Sequence, residues 1–261
     1  MPAPLDLPDT HIVPAPLVIN DGTRRTLEFT RGDVQSEMLL ARPDALVLDY
    51  TRAMMCFALF APQPRHIVMV GLGGGSLAKF CYRHFPHTRI TVLEIRADVI
   101  ALRDLFCLPP DDARLRVLHC DAADYLARAP GDADVLLVDG FDRRGLPPAL
   151  SSSAFYAGCR RALRPGGVLV ANIFTYDPDY VTALQRLNDV FDARVVWFRR
   201  IAGNNRILFA VRPGAPAQAP ARSERLLVRL ARIGATDGVG FGWPNRLLAR
   251  SLVTWLSRRR R

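Results

Sequence analysis

Residues 66–96, HIVMVGLGGGSLAKFCYRHFPHTRITVLEIR, decide the fold. They open with a short apolar run, His66–Val70, followed at once by the glycine-rich turn Gly71-Leu-Gly-Gly-Gly75. A helix-like segment, Ser76–His84, comes next, then a second apolar run, Ile90–Leu93, ending in the acidic Glu94. Strand, glycine turn, helix, strand and acid is the layout of a nucleotide-binding βαβ unit. Glycines at 71, 73 and 75 let the backbone approach a ligand, and the start of the helix presents free N–H groups. A carboxylate about twenty residues on can take two ribose hydroxyls. At this stage a dinucleotide such as NAD fits the unit as well as any other nucleoside. A tight turn that binds nothing would use the same glycines.

Outward from this unit, strand and helix patterns alternate. A helix is expected over Asp98–Phe106, ending before Pro109-Pro110, and a strand over Arg114–His119 runs into Cys120-Asp-Ala-Ala-Asp124 and a short helix to Ala129. The strand Asp134–Val138 is followed by Asp139-Gly-Phe-Asp142. The helix Ser152–Leu163 stops at Arg164-Pro-Gly-Gly167, and the strand Val168–Asn172 follows. The helix Tyr180–Val190 precedes two strand-like runs, Arg194–Arg199 and Arg206–Val211, joined by Ala202-Gly-Asn-Asn205 as a terminal hairpin. Repetition of this kind with short loops implies an α/β fold with a mostly parallel, doubly wound sheet. Ligands of such sheets sit beyond the carboxyl ends of the strands. Gly71–Gly75, Glu94, Asp121 and Asp139–Asp142 all fall at such ends.

Upstream, residues 1–16 carry five prolines and are expected to form a disordered lead. Residues 17–61 read as a small β-rich domain with a linking helix. The segments LVIN, RTLEF and ALVLDY are separated by turn chemistry such as Asn20-Asp-Gly22, and the helix is expected over 49–61. Residues 62–212 form the Rossmann-like part, and 213–261 a Pro/Ala linker and a basic amphipathic tail, with Ser223 as the expected N-cap of its first helix.

The 261 residues carry a net charge of +10, yet Lys79 is the single lysine among Arg-rich and Ala-rich sequence, so nucleic acid is not the expected partner. The five scattered cysteines form no CxxC and read as reduced thiols of a cytoplasmic protein. Met1–Pro16 lacks the early basic residues of a leader, and no apolar run approaches the ~18–20 residues of a membrane span. There is no metal-ligand cluster, no GxSxG and no Gly-Lys-Ser/Thr loop. Two residue-level alternatives stay open. Glu94 can cap the helix after it, and Asp121 can cap 122–129 while also meeting a ligand.

The blocks VMVGLGGGSLAKF, VLEI, CDAADYL, VLLVDGFD and PPALSSSAFYAGCRRALRPGGVLV, in this order, resemble the spermidine synthase (polyamine aminopropyltransferase) family over about residues 25–212. The resemblance implies the class I methyltransferase-like fold with a small β-domain before it. It implies decarboxylated S-adenosylmethionine as co-substrate, an amine acceptor such as putrescine, no metal, and a homo-oligomer, a dimer. By matching position it puts Gln35, Gly71, Gly73, Gly75, Glu94, Asp121 and Ala122 on the nucleoside, with Glu94 at the ribose and Asp121 and Ala122 at the adenine. Asp139 becomes the general base that takes a proton from the attacking amine, with Asp142 and Tyr50 on the amine. The chain departs from the family pattern at three places. Gly73 stands where the family carries an Asp that holds the aminopropyl amine. Arg96 stands two residues after the ribose acid in place of an Asp. The Tyr-His/Gln-Glu segment of the polyamine site is Tyr50-Thr-Arg-Ala. Without a carboxylate at position 73, nothing obvious repels the carboxylate of ordinary S-adenosylmethionine, so a methyltransferase or aminocarboxypropyl transferase is the rival expectation. A nucleoside-binding protein without turnover is a third.

Overall fold

The computed structural model describes residues 15–141, 145–198, 201–202, 204–214, 220–233 and 244–258. Three expected features fall wholly or largely outside them: the lead up to residue 14, Asp142, and the Gly-rich turn near 234–242. The centre of the Pro/Ala linker, 215–219, and the final arginines, 259–261, also lie outside.

A small antiparallel sheet comes first, made of β1 (Leu17–Asn20), β2 (Arg24–Glu28) and β3 (Val34–Leu39) in that order. The β1–β2 turn is closed by Asp21, whose Oδ1 accepts from the backbone N–H groups of Thr23 (2.9 Å) and Arg24 (2.7 Å). The third strand is not the expected ALVLDY run. It is Val34–Leu39, where Ser36 and Met38 alternate inward with period two. That stretch holds few strongly apolar residues, so a search for apolar runs passes over it. The ALVLDY run leads instead into α1 (Asp49–Met54) and α2 (Phe57–Phe60). The single helix expected over 49–61 is therefore broken at Met55–Cys56, where Cys56 N–H and Ala58 N–H bond back three residues rather than four. Met54, Met55, Cys56 and Phe57 are all fully buried, so the segment threads the core with no solvent face to keep one helix straight.

The main sheet contains β4 (His66–Val70), β5 (Arg89–Glu94), β6 (Leu115–His119), β7 (Ala133–Val138), β8 (Leu163–Phe174), β9 (Val195–Trp197) and β10 (Asn205–Val211). Their order is β6-β5-β4-β7-β8-β10-β9. The first five are parallel to one another, whereas β10 runs antiparallel to both β8 and β9. Every residue of β4 and β7 is buried, as a parallel strand covered on both faces requires. The chain leaves β4 towards β5 and β6 and returns on its other side as β7 and β8. That reversal opens a crevice at the carboxyl ends of β4 and β7.

The helices of the main unit are α3 (Ser76–His84), α4 (Ala97–Ala101), α5 (Ala122–Arg128), α6 (Ser153–Ala162), α7 (Tyr180–Val190), α8 (Arg222–Ile233) and α9 (Pro244–Arg258). Successive residues of β8 feed opposite cores. Val168 and Val170 join the side carrying α1–α3, α8 and α9, while Leu169, Ala171 and Ile173 join the side carrying α5–α7. The fold is thus the expected doubly wound, methyltransferase-like sheet with a small β-sheet before it.

Three local expectations are corrected. The helix expected over 98–106 stops at Ala101, and turns continue to Cys107, whose left-handed φ of 54° ends the segment. Arg164–Gly167, expected as a stop, lies inside β8, which starts at Leu163 as it pairs with Ala133. Ser223 is not the N-cap of α8. Arg225 N–H bonds to Ala221 O, so Ala221 holds the cap position, and Glu224 reaches back to the Ala221 N–H (2.8 Å). The Ser223 hydroxyl instead donates to Gly166 O (2.6 Å), tying α8 to the sheet.

Candidate active site

The turn after β4 is shaped by close approach. Gly71 has φ +92°, and a Cβ there would lie 2.4 Å from the Asp139 carbonyl oxygen, so no side chain fits. Its N–H donates to Leu93 O (2.9 Å), while Asp139 N–H donates to Val70 O (3.0 Å). The glycine turn is therefore stitched to the ends of both neighbouring strands. Gly73 and Gly75 are left-handed too, at φ +51° and +68°. They differ in surroundings. A Cβ on Gly75 would meet Leu108 Cδ1 at 2.9 Å, whereas one on Gly73 would meet only Ser36 Cβ at 3.7 Å and Ser36 Oγ at 4.0 Å. Room for a side chain exists at position 73, so packing does not explain the glycine there.

Glu94 ends β5 buried beneath this turn. One carboxylate oxygen accepts from Leu72 N–H (2.8 Å) and the other from Arg96 N–H (2.9 Å). Two backbone donors fix the plane of the carboxylate and leave each oxygen a further lone pair. Glu94 lines a cavity of about 920 Å³ at the carboxyl ends of the strands. Gly71, Gly73, Gln35, Tyr50, Asp121, Ala122 and Asp139 line the same cavity. Gly75 does not, and serves the path of the turn. Asp121 also caps α5, with Oδ1 accepting from Ala123 N–H at 2.6 Å. Its two roles can coexist because the second oxygen remains. Gln35 donates to Asp33 Oδ2 (2.8 Å) at the rim. Arg96 lines the cavity with its guanidinium over the Phe29 ring (4.7 Å to the centroid) and paired with Asp98 (2.6 Å).

Asp139 follows β7 at the point where the sheet reverses. Burial pushes its carboxyl up to about 6, opposed by hydrogen bonds from Asn172 and Tyr50 that favour the ionised form. Asn172 Nδ2 donates to Asp139 Oδ1 at 2.9 Å, and Asn205 Nδ2 donates to Asn172 Oδ1 at 2.9 Å. Burial, and then the negative charge of Asp139, hold the Tyr50 phenol well above its ordinary value, so it remains a donor. Among the described residues no cationic side chain is hydrogen-bonded to Asp139. An ionisable carboxylate with only neutral partners, open to a cavity, is suited to a cationic or proton-bearing ligand.

Sequence reasoning missed Asn172 and Asn205. The first had a signal: a lone amide closing the apolar run VLVAN, buried to 2% exposure. The second had none, since Asn204-Asn205 reads as turn chemistry and enters the site only through the antiparallel register of β10 on β8. Asp142 lies outside the described residues.

Comparison with known proteins follows the same line. Residues 48–207 match the family model described as the spermine/spermidine synthase domain. The chain is 35% identical over 244 residues to the polyamine aminopropyltransferase of Chromobacterium violaceum, covering 92% of each. It is 39% identical over 181 residues to that of Neisseria meningitidis serogroup B, covering 69% of each. Among solved structures, a probable spermidine synthase from Corynebacterium glutamicum superposes with a TM-score of 0.66 at 20% identity, covering 92% of this chain and 90% of that one. With the family model spanning more than half of the sequence and a relative matched nearly end to end, this chain belongs to the spermine/spermidine synthase domain family.

Proposed function

We propose that the protein is an aminopropyltransferase that moves an aminopropyl group from decarboxylated S-adenosylmethionine to a polyamine acceptor such as putrescine. The observation that carries this reading is Asp139, raised to about 6 and without a cationic partner among the described residues, in one cavity with the glycine turn and Glu94. Glu94 takes the ribose hydroxyls, Asp121 and Ala122 the adenine, and Gln35 and the turn at Gly71 and Gly73 the rest of the nucleoside. Tyr50 and Asp142 hold the acceptor amine, and Asp139 takes its proton. The amine nitrogen forms a bond to the carbon beside the sulfonium, that C–S bond breaks, and methylthioadenosine leaves with the electron pair on sulfur. Incubation with both substrates should release methylthioadenosine. No release above an Asp139→Asn control with putrescine, spermidine or related diamines would sink the proposal.

A second reading has one observation behind it. The space at Gly73 is faced by Ser36, whose hydroxyl lies 3.4 Å from that of Ser76, rather than by a carboxylate. That arrangement tolerates the carboxylate of S-adenosylmethionine itself, as an aminocarboxypropyl or methyl donor. Calorimetry with the two nucleosides separates the readings, because tighter binding of the decarboxylated form counts against the second.

In the same reading, residues 17–61 are a small N-terminal β-rich domain with its linking helix, 62–212 the Rossmann-like catalytic domain, and 213–261 a Pro/Ala linker and basic amphipathic tail. The enzyme works in the cytoplasm, a reading supported by five free cysteines and by the lack, among the described residues, of any helix long and apolar enough to cross a membrane. It works as a dimer, supported by the exposed Leu17 and Ile19 on the edge strand β1. Light scattering at micromolar concentration tests the dimer.

A further inference from the structure

Asp139 is held by a chain of two amides whose outer member, Asn205, is 66 residues away in sequence and reaches the site from an antiparallel strand. A carboxylate is only an acceptor, so Asn172 must present its NH2 to Asp139 and its carbonyl oxygen away from it. Asn172 is only 2% exposed, at the wall of the cavity, so a protein donor to that oxygen avoids leaving it unsatisfied. Asn205 Nδ2 is that donor, at 2.9 Å. If the Asn172 amide turned over, its oxygen would face a carboxylate oxygen, and two acceptors would repel. The carboxylate thus selects the orientation of the Asn172 amide, and the Asn205 donor holds it from the other side. With Oδ1 of Asp139 held by Asn172, the remaining acceptor capacity faces Tyr50 and the cavity, where the amine must arrive.

We propose that Asn205 is a positioning residue for the base. By donating to the Asn172 oxygen it locks the orientation in which Asn172 supports ionised Asp139 and aims the free lone pairs of Asp139 at the acceptor amine. The proposal rests on the reading of Asp139 as general base. The titratable groups facing the same cavity are Tyr50 from α1, Glu94 and Arg96 at the end of β5, Asp33 before β3, Cys120 after β6 and Asp121 at the head of α5. Of these Tyr50 alone acts on Asp139 as a donor, and its hydroxyl also lies 3.5 Å from Gln35 O, so the amide chain is the firmer part of the support.

The test replaces Asn205 with leucine, similar in size but without a donor, and with aspartate, which cannot donate when ionised and adds a charge. Alanine serves as a second donorless variant if leucine fails to fold. Two readouts are taken across pH: kcat/KM, and the Asp139 carboxyl band in difference infrared spectra, assigned by its absence in Asp139→Asn. Methylthioadenosine binding by calorimetry confirms that the nucleoside side is intact. In Asn205→Leu the acid limb and the carboxyl midpoint should both move up by about 0.5–1 pH unit. That corresponds to a roughly threefold to tenfold loss below pH 6 with little change near pH 8, and Asn205→Asp should move further. An unmoved midpoint in a folded donorless variant overturns the proposal. So does a shift confined to Asn205→Asp, which would be charge alone. If the wild-type protein turns over no amine but the carboxyl midpoint still moves in Asn205→Leu, the amide chain stands and the aminopropyltransferase reading falls.

Discussion

β7 carries an aspartate near each end, and the two are held in opposite ways. Asp134, at 2% exposure, accepts from the N–H groups of Arg65 (2.7 Å) and His66 (3.0 Å), and its other oxygen pairs with the Arg164 guanidinium. Asp139, five residues on, has two neutral donors and, among the described residues, no cation in hydrogen-bonding contact. Same strand, same residue type, different supply of positive partners. At the amino end of the sheet the protein completes the carboxylate itself and gains rigidity. At the carboxyl end it leaves the carboxylate without a cation, which under the proposed function the substrate amine would supply. A site can be recognised by what the fold declines to satisfy as much as by the residues it gathers.

The sharpest way to break this contrast is to neutralise each acid. Asp139→Asn should lower kcat by roughly 10²–10⁴-fold, the scale of a lost general base, measured by methylthioadenosine release. It should also raise stability at neutral pH. The folded value near 6 lies above the unfolded value near 3.8, so folding is opposed by ionisation. The Asp139 contribution is most favourable below about pH 4, falls as pH rises through 4 to 6, and stays lower above that by roughly 1–3 kcal/mol. Asparagine escapes this cost. Asp134→Ala should do the reverse, destabilising by roughly 2–4 kcal/mol in urea titrations through two stranded backbone donors, while the cavity keeps its residues. If both variants moved stability in the same direction, the contrast would be wrong.

A gentler probe removes one neutral support. The acid limb of kcat/KM should lie near pH 6, with activity falling about tenfold per unit below it as Asp139 takes up its proton. Tyr50→Phe deletes a donor to the ionised form, so the limb should move up, costing about threefold to tenfold at pH 6 and little at pH 8. A limb that moves down would show that Tyr50 acts otherwise. An effect of similar size, on binding rather than rate, is expected from Gly73→Asp, which adds another carboxylate without a cationic partner to the cavity. There is room for the Cβ, and aspartate tolerates left-handed φ better than most residues. Binding of decarboxylated S-adenosylmethionine should tighten by about threefold to tenfold and that of S-adenosylmethionine weaken by a similar factor, by calorimetry. Equal changes for both ligands would place Gly73 away from the end of the molecule that distinguishes them.

Much of this was legible in the chain because parallel α/β units write themselves locally. β4, the glycine turn, α3 and Glu94 are contiguous, each with a short-range signal: buried apolar runs for strands, glycines where φ turns positive, an acid after a strand. The elements that escaped were those whose form depends on neighbours. β3 is a half-polar strand, set by pairing with β2. The break between α1 and α2 follows from burial on all sides. Arg164–Gly167 joins a strand because β7 lies beside it. Ser223 turned from a capping residue into a tether because the sheet offers Gly166 O.

The sequence by itself determined the fold class, the edge at which ligands gather, and the acids that line it, since period, turn chemistry and residue order act over a few residues. Only the tertiary structure decided what state those acids are in. Whether a carboxylate finds two backbone donors and an arginine, as Asp134 does, or two neutral side chains and an open cavity, as Asp139 does, depends on strands 30 to 70 residues apart. Proton affinity is set by burial and by partners within a few ångströms. Long-range pairing, here of β10 on β8, is what brings those partners into reach.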